Sequence, residues 1–487
     1  MKQLSRTSPN SQPYPARILQ FGEGNFIRAF IGARIEQLNQ NTDFNGGITL
    51  IRRTQPVGKP DLNDQQGLYS VVTRGIDDQG AKRESTQVIH CVTRLIATNT
   101  AYDHYLATAE DPDYRFVFSQ TTEAGIEYDD RCMATDRPPR TFPAKLTQWL
   151  YQRFSHFDGN PSKGLIIIPC ELVDSNGLLL KKFILAHATA WQLPVAFSQW
   201  LEDHNHFCNT LVDQICTSFP KEDRGLLEKE LGFIDPFMIA TELYTEFVID
   251  GPDCLREELF LDQVDLSIKL VADVTPYSER KIAVLNGSHS AMVPLALLGG
   301  FTTVREAISN VDLGRFTDQL QSREVIPNLS LPQEELSVFK KAVFGRFNNP
   351  YIEHQLMAIT LNSLVKYKVR LVPQVLHNYT RHNRPPLLLS TAFAAQILLY
   401  RGNLNGEPIN LKDDVDSMAL LQQEWAQYSR GKISMLTLVQ RIFSQQSIWG
   451  TDLNALPGWA DAVCAQLKSL MEVGALVTIQ AQLQELI

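Results

Sequence analysis

The chain has 487 residues, 44% hydrophobic and 20% charged, which fits a globular protein of two or three domains with a large core. Its 45 basic and 54 acidic residues give a formal charge of −9, which argues against a broad nucleic-acid footprint. Seven scattered cysteines, with no C-x-x-C pair, argue against a disulfide framework or a zinc site and point to a reducing compartment.

Residues 1–15 are polar and rich in Ser, Pro and Gln, without the apolar core of a signal peptide. The longest apolar stretch, 387–400, is broken by Ser390, Thr391 and Gln396 and is too short to span a bilayer. The expectation is a soluble cytoplasmic protein with no membrane partner. Short β-rich runs at 17–21, 48–52, 68–73, 87–96, 115–119 and 164–169 predict strands. Between the first two, Ile27, Ile31, Ile35 and Leu38 recur at helical spacing over 25–39. Strand, helix and strand in that order predict a βαβ unit with parallel pairing. The run Ile166, Ile167, Ile168 is what a strand covered on both faces requires.

A last strand is predicted at 266–271. Beyond Ser278, apolar residues recur every three or four positions, predicting helices over 281–299, 351–366, 386–400, 415–426, 435–445 and 459–485. The boundary falls near Pro276. The expected fold is an α/β Rossmann-like domain at 1–275 followed by a mostly α-helical domain at 276–487.

The turn between the first strand and the first helix reads Phe21, Gly22, Glu23, Gly24, Asn25, Phe26, Ile27, Arg28. Its glycines allow a tight turn and a close approach of backbone amides to a pyrophosphate, and the helix N-terminus adds its positive end. A third fingerprint glycine is missing, since Ile27 stands there. Arg28 either neutralises phosphate or is an ordinary solvated helix residue. The second strand ends in Arg52 and Arg53 with no acid, which by itself leans to NADP or leaves the cofactor open; both arginines facing solvent is the plain alternative. Two more polar loops follow predicted strands, one with Thr122 and Glu123 and one with Glu171, Leu172 and Asn176. In an open α/β sheet these face the same crevice as the glycine turn.

The segment 281–289 places Lys281, Asn286 and His289 in an otherwise apolar run. On an α-helix at about 100° per residue, Lys281 and His289 lie roughly 80° apart and Asn286 roughly 60° beyond. An ammonium, a carboxamide and an imidazole on one face suit proton transfer at a carbonyl or hydroxyl oxygen; a helix edge with a solvated Lys is the plain alternative. No metal site is visible, because His204 and His206 at i,i+2 do not share a helix face.

Several motifs together resemble the mannitol dehydrogenase family of polyol-specific long-chain dehydrogenases. They are F-G-E-G-N-F-I-R-A-F at 21–30, T-T-E-A-G at 121–125, Asn176 with Gly177, Asn209 to Asp213, K-x4-N-x2-H at 281–289 and R-F-x-N-P at 346–350. They occur in family order across most of the chain. The resemblance implies a Rossmann-like domain, a helical domain, metal-independent catalysis and NAD(H), against the lean of Arg52 and Arg53. It makes Lys281 the general acid/base, Asn286 an oxyanion donor and His289 a substrate ligand or orienter of Lys281. Asp213 anchors this network or serves as a structural cap.

The cofactor would lie against Phe21, Gly22, Gly24, Asn25, Phe26, Arg28, Arg52, Thr122 and Glu123. The substrate would meet Asn176, Arg346 and Lys366, the last two as candidates for holding a carboxylate. Two family positions depart: Leu172 stands where the second oxyanion Asn would be, and Ala358 where a polyol-binding Arg would be. These departures suggest a substrate other than mannitol, as a uronate would be, without identifying the acid; a closer likeness within the family implies a keto-uronate, tagaturonate first. The rival readings are fructuronate, mannitol or a hexitol phosphate with the same chemistry, and a non-catalytic nucleotide-binding regulator. The sequence sets no oligomeric state.

Overall fold

In the computed structural model of the chain, which describes residues 1–6, 13–77, 79–122, 124–404 and 406–486, six strands pair into one sheet. They are Ala16–Phe21 (β1), Gly47–Arg52 (β2), Val92–Ala97 (β3), Phe116–Ser119 (β4), Ile166–Pro169 (β5) and His206–Phe207 (β6). Every pairing is parallel, and the order across the sheet is β3-β2-β1-β4-β5-β6. This is the doubly wound dinucleotide-binding order. It reverses beside β1 and leaves a crevice beyond the carboxyl ends of β1 and β4.

The first helix, Asn25–Asn41 (α1), joins β1 to β2. Its Ile27, Ile31, Ile35 and Leu38 are all buried, against Ile48 and Leu50 of β2 and Phe116 and Phe118 of β4. The opposite face of the sheet packs Leu19, Val117 and Ile167 against Leu146 and Trp149 of Phe142–His156 (α2) and Leu180 and Ile184 of Asn176–Ala190 (α3). Burial on both faces explains why the strands are continuous apolar runs rather than alternating ones.

The run 87–96 is not one strand. Lys82–Ile89 belongs to a separate four-stranded sheet, while β3 starts at Val92. The break has a cause in α1. The buried carboxylate of Glu36 accepts the backbone amides of His90 (2.7 Å) and Cys91 (3.0 Å), which turns the chain from one sheet to the other.

Packing divides the chain into two units: Met1–Gly75 with Lys82–Val274, and Ile76–Ala81 with Thr275–Ile487. The assignment of Ile76–Ala81 to the second unit has no signal in the sequence pattern. Apart from that segment, the second unit is built mainly of helices, among them Gly287–Leu298 (α4), Val311–Leu320 (α5), Gln333–Phe347 (α6), Ser363–Arg370 (α7), Leu387–Leu399 (α8) and Trp459–Val473 (α9). From Leu388 to Leu399 every residue of α8 is buried, and the helix packs on α4 and α9. Buried all round, with Ser390, Thr391 and Gln396 among its buried residues, it is a core helix. No helix among the described residues is long and apolar enough to cross a membrane.

Three predicted helices differ from the observed ones. The stretch 351–366 is broken, with a turn at Leu356–Ile359 and α7 starting after Asn362 in the left-handed region (φ 52°), where Asp413 Oδ2 accepts the Leu364 amide at 2.9 Å. The stretch 459–485 is cut by Gly474 (φ 82°) into α9 and Ala475–Glu485. The stretch 281–299 begins with a π-helical turn, Lys281–Asn286, before α4. A π-helical turn advances by less than 100° per residue, so the α-helical wheel does not describe how Lys281 stands to Asn286 and His289.

Candidate active site

At the carboxyl end of β1, Gly22 sits at φ 112°, where a Cβ would lie 2.6 Å from the carbonyl oxygen of Gln120. The Gln120 amide donates to the Phe21 carbonyl at 2.9 Å, so the turns after β1 and β4 lie against each other at the reversal of strand order. Gly24 caps α1 without a side chain, and the first turn carries no acid. The helix thus offers open amides and its positive end, the arrangement a pyrophosphate needs.

Around this turn the predicted residues fall into different roles. Arg28 is buried rather than solvated: Nε donates to Glu23 O (3.0 Å), Nη2 to Asn25 Oδ1 (2.9 Å) and Nη1 to Phe237 O (3.4 Å), over the ring of Tyr69. It braces the turn from behind. The Phe21 ring is core, packed on Tyr105 and Phe142, so it positions the turn instead of lining it. Asn25 Nδ2 donates to Ser218 Oγ, and Phe26 stacks on Phe30. Thr122 is exposed with φ 88°, a region a β-branched residue seldom occupies and one that collects at functional sites. Glu123 lies outside the described residues.

Arg52 overturns both expectations placed on it. It is buried, with Nη1 and Nη2 on Asp61 (2.9 and 2.6 Å) and Nη1 also 3.2 Å from Glu23 Oε1. The guanidinium holds the Asp61 carboxyl below its usual range. A guanidinium shared by two carboxylates neither faces solvent nor is free for a 2′-phosphate. Arg53 stays exposed. Burial first, then the charge of Arg53, push the Lys145 ammonium down to about 8.

The loop after β5 is also anchored inward. Glu171 is buried and accepts from Ser119 Oγ, Thr121 N and Thr121 Oγ1, each at 2.9 Å. Burial pushes its carboxyl up, and these donors pull it back. It therefore fastens the β4 loop beside the glycine turn. Asn176 does not reach a substrate. It is fully buried, Nδ2 donates to Pro169 O, Glu171 O and Thr210 Oγ1, and Oδ1 accepts from the amides of Gly177 and Thr210. Leu172, at the departed oxyanion position, is exposed. Asp213, buried, ends the strand Asn209–Asp213 opposite Glu246.

The second unit gathers basic groups around His289. The imidazole packs on Phe347 (ring centroids 4.3 Å apart) and edge-on to His354 (5.2 Å), and its Nε2 is closed off with no hydrogen-bond partner. Burial, then the charges of His354, Arg370, Arg346 and Lys366, hold its pKa well below the ordinary value, so it is neutral near pH 7. Helix α6 supplies Arg346 beside Phe347, the segment before Leu356 supplies His354, and α7 supplies Lys366 and Arg370. Helix α7 packs on both the π turn and α4.

Arg370 Nη1 donates to Asn286 O (3.3 Å) and Ser290 Oγ (3.1 Å) and pairs with no carboxylate among the described residues. Lys366 Nζ donates to Ile359 O (2.9 Å); burial, then Arg370, lower its pKa. His354 is lowered by burial, then Lys366. Arg346 and Lys366 are thus brought within electrostatic reach of His289. His354 and Arg370 were missed, because a lone His and a last-turn Arg carry no spacing signal. Among the described residues no three His, Cys, Asp or Glu side chains converge as a metal centre would need.

The Mannitol dehydrogenase Rossmann domain family matches residues 16–263, and the Mannitol dehydrogenase C-terminal domain family matches 273–471. The chain is 42% identical to an altronate oxidoreductase of Yersinia pestis over 99% of this chain and 100% of that one. It is 43% identical to an altronate oxidoreductase of Escherichia coli over 97% and 98%. Among solved structures, it superposes on a Pseudomonas fluorescens mannitol 2-dehydrogenase ternary complex with NAD and D-mannitol. The TM-score there is 0.70, with 22% identity over 99% and 97% of the two chains. It also superposes on a substrate-free D-sorbitol dehydrogenase with a TM-score of 0.80, at 20% identity over 98% and 100%. With both halves of the family matched and curated relatives this similar along their whole length, the chain belongs to the mannitol dehydrogenase family and is an oxidoreductase.

Proposed function

We propose that the chain interconverts a keto-uronate and its sugar-acid alcohol with NAD(H), reducing tagaturonate to altronate. The observation that carries the substrate class is the cationic surround of His289. Arg370 has no carboxylate partner among the described residues and Lys366 lies beside it, with Asp413 the one acid that acts on Lys366, so the pair keeps a positive charge suited to a carboxylate and needless for a neutral polyol. The full-length likeness to altronate oxidoreductases supports the same substrate.

The glycine turn fits the cofactor, since a Cβ at Gly22 would fill the approach and the α1 amides are open. Arg52, engaged by Asp61 and Glu23, supports NAD(H) over a cofactor with a 2′-phosphate. When bound, NADH supplies hydride to the ketone carbon. Charge then grows on the ketone oxygen. Lys281 gives that oxygen a proton in reduction and takes it back in oxidation. Asn286 donates a hydrogen bond to the same oxygen, and neutral His289, whose buried Nε2 has no partner, orients Lys281 or holds a neighbouring hydroxyl once the substrate is in place. Arg370 and Lys366 clamp the carboxylate, and the charge of Arg346 also acts at His289.

The test is the rate of NADH oxidation with tagaturonate, wild type beside Lys281→Ala, with NADPH, fructuronate and a neutral ketose as controls. Turnover with NADH and tagaturonate, abolished in a folded Lys281→Ala protein, is expected. Turnover of the neutral ketose alone would remove the carboxylate reading, and no turnover by folded wild type would promote the regulator. Use of NADPH alone would make exposed Arg53 with Lys145 the better guide to the cofactor.

A further inference from the structure

The second unit holds two π-helical turns, Lys281–Asn286 and Gln321–Val325, and they touch. Such turns are rare, interrupt the i→i−4 ladder and recur at functional sites. In the first, the wide pattern is explicit at Gly287, whose amide donates to Ile282 O. In the middle of that turn the Val284 carbonyl collects two side-chain donors. Ser288 Oγ donates to it at 2.6 Å and Gln321 Nε2 at 3.2 Å, and Gln321 Nε2 also donates to Ser288 Oγ.

Ser288 and Gln321 are fully buried. The orientation of the Gln321 amide is fixed by chemistry, since reversing it would set its oxygen against the Val284 carbonyl. In this orientation Oε1 is buried without a partner, so an apolar side chain would pack there at less cost. A carboxamide kept in such a place is explained by what its nitrogen holds.

We propose that Gln321 is a positioning residue for catalysis. Carried on the second π turn, it holds the first one open at Val284 and thereby sets the register of Lys281 against Asn286 and His289. This rests on Lys281 being the acid/base group proposed above. Lys281 lies three residues before the held carbonyl, and Asn286 and His289 lie just after it. A shift of about 1 Å in such a constellation lowers turnover by on the order of 100-fold.

The experiment compares wild type, Gln321→Met and Ser288→Ala. Expected for Gln321→Met is a kcat lower by roughly 100-fold, a KM for the keto acid and an NADH affinity near wild type, and a displaced acid/base limb in the pH profile. Ser288→Ala, which leaves the direct Gln321 bond to Val284, loses less. If Gln321→Met does not fold, Ser288→Ala alone decides, with wild-type kcat overturning the proposal. A readout independent of turnover is the pH dependence of Lys281 acylation, followed by peptide mass spectrometry. It shifts in both variants if Gln321 positions Lys281, even should the wild type reduce no keto-uronate. Unchanged Lys281 titration with only a lower melting temperature would reduce Gln321 to a packing residue and overturn the proposal.

Discussion

In the first unit the candidate cofactor crevice is made largely of backbone: two turns pressed together at Gly22 and Gln120, an uncapped helix start, and a buried Glu171 that ties the β4 loop in place. In the second unit the candidate substrate pocket is made of side-chain charge, with Arg346, His354 and the α7 pair Lys366 and Arg370 drawn from three segments around one imidazole. A cofactor common to many enzymes can be met by main-chain geometry that tolerates varied side chains. A substrate distinguished by one carboxylate has to be met by particular cations. Changes in the first unit should therefore alter affinity for the nucleotide across all substrates. Changes in the second should discriminate between substrates.

The largest effect expected is from Lys281→Ala, a fall in kcat on the order of 1,000-fold with NADH binding kept, read by initial rates and by nucleotide fluorescence. Loss of NADH binding in that variant would erase the division of labour. Next, Arg370→Met should raise KM for the keto-uronate by roughly 10- to 100-fold, the worth of a hydrogen bond to a charged group, while leaving a neutral ketose unaffected. An equal loss on both substrates would mean that Arg370 serves the backbone at Asn286 rather than the carboxylate.

Gly22→Ala should weaken NADH binding by about tenfold in titration calorimetry, because a residue forced into that conformation against Gln120 O carries about 1–3 kcal/mol of strain. Unchanged binding would show that the turn yields, and that backbone geometry is a poorer determinant than claimed. The last prediction concerns stability. Burial raises the Glu324 carboxyl to about 7, although the amides of Leu388 and Leu389 favour its ionised form. A raised folded-state pKa gives a contribution present below the unfolded value of about 4.5 and lost as pH rises through about 7. Wild-type stability should fall by on the order of 3 kcal/mol over that window, and Glu324→Gln should flatten this part of the curve in pH-dependent melting. A wild-type curve flat across it would contradict the assignment.

How far each region was readable from sequence follows from the same contrast. The β1–α1–β2 unit and its glycine turn are contiguous, and local periodicity with turn chemistry suffices to find them. The split at His90 and Cys91 was invisible, because the carboxylate that causes it is on α1 and the apolar pattern runs through the break. Asn176 looked available because its motif is polar, yet every one of its hydrogen-bonding groups is used within its own unit. Arg370 and His354 were missed since nothing in sequence relates them to His289; only the packing of α7 and the turn before Leu356 does so. The π turn at Lys281 left no mark either, as one residue more per turn does not disturb an apolar run.

The ion triad of Arg52, Asp61 and Glu23 has a consequence for redesign. Two acids share the Arg52 guanidinium beside the glycine turn, and Glu23 also feels the charge of Arg28. Switching this chain to a phosphorylated nucleotide is thus a problem of subtraction. Adding arginines to the end of β2 would feed the existing acids. Neutralising Asp61 would loosen a cation already present at the end of β2, leaving Glu23 as its remaining partner.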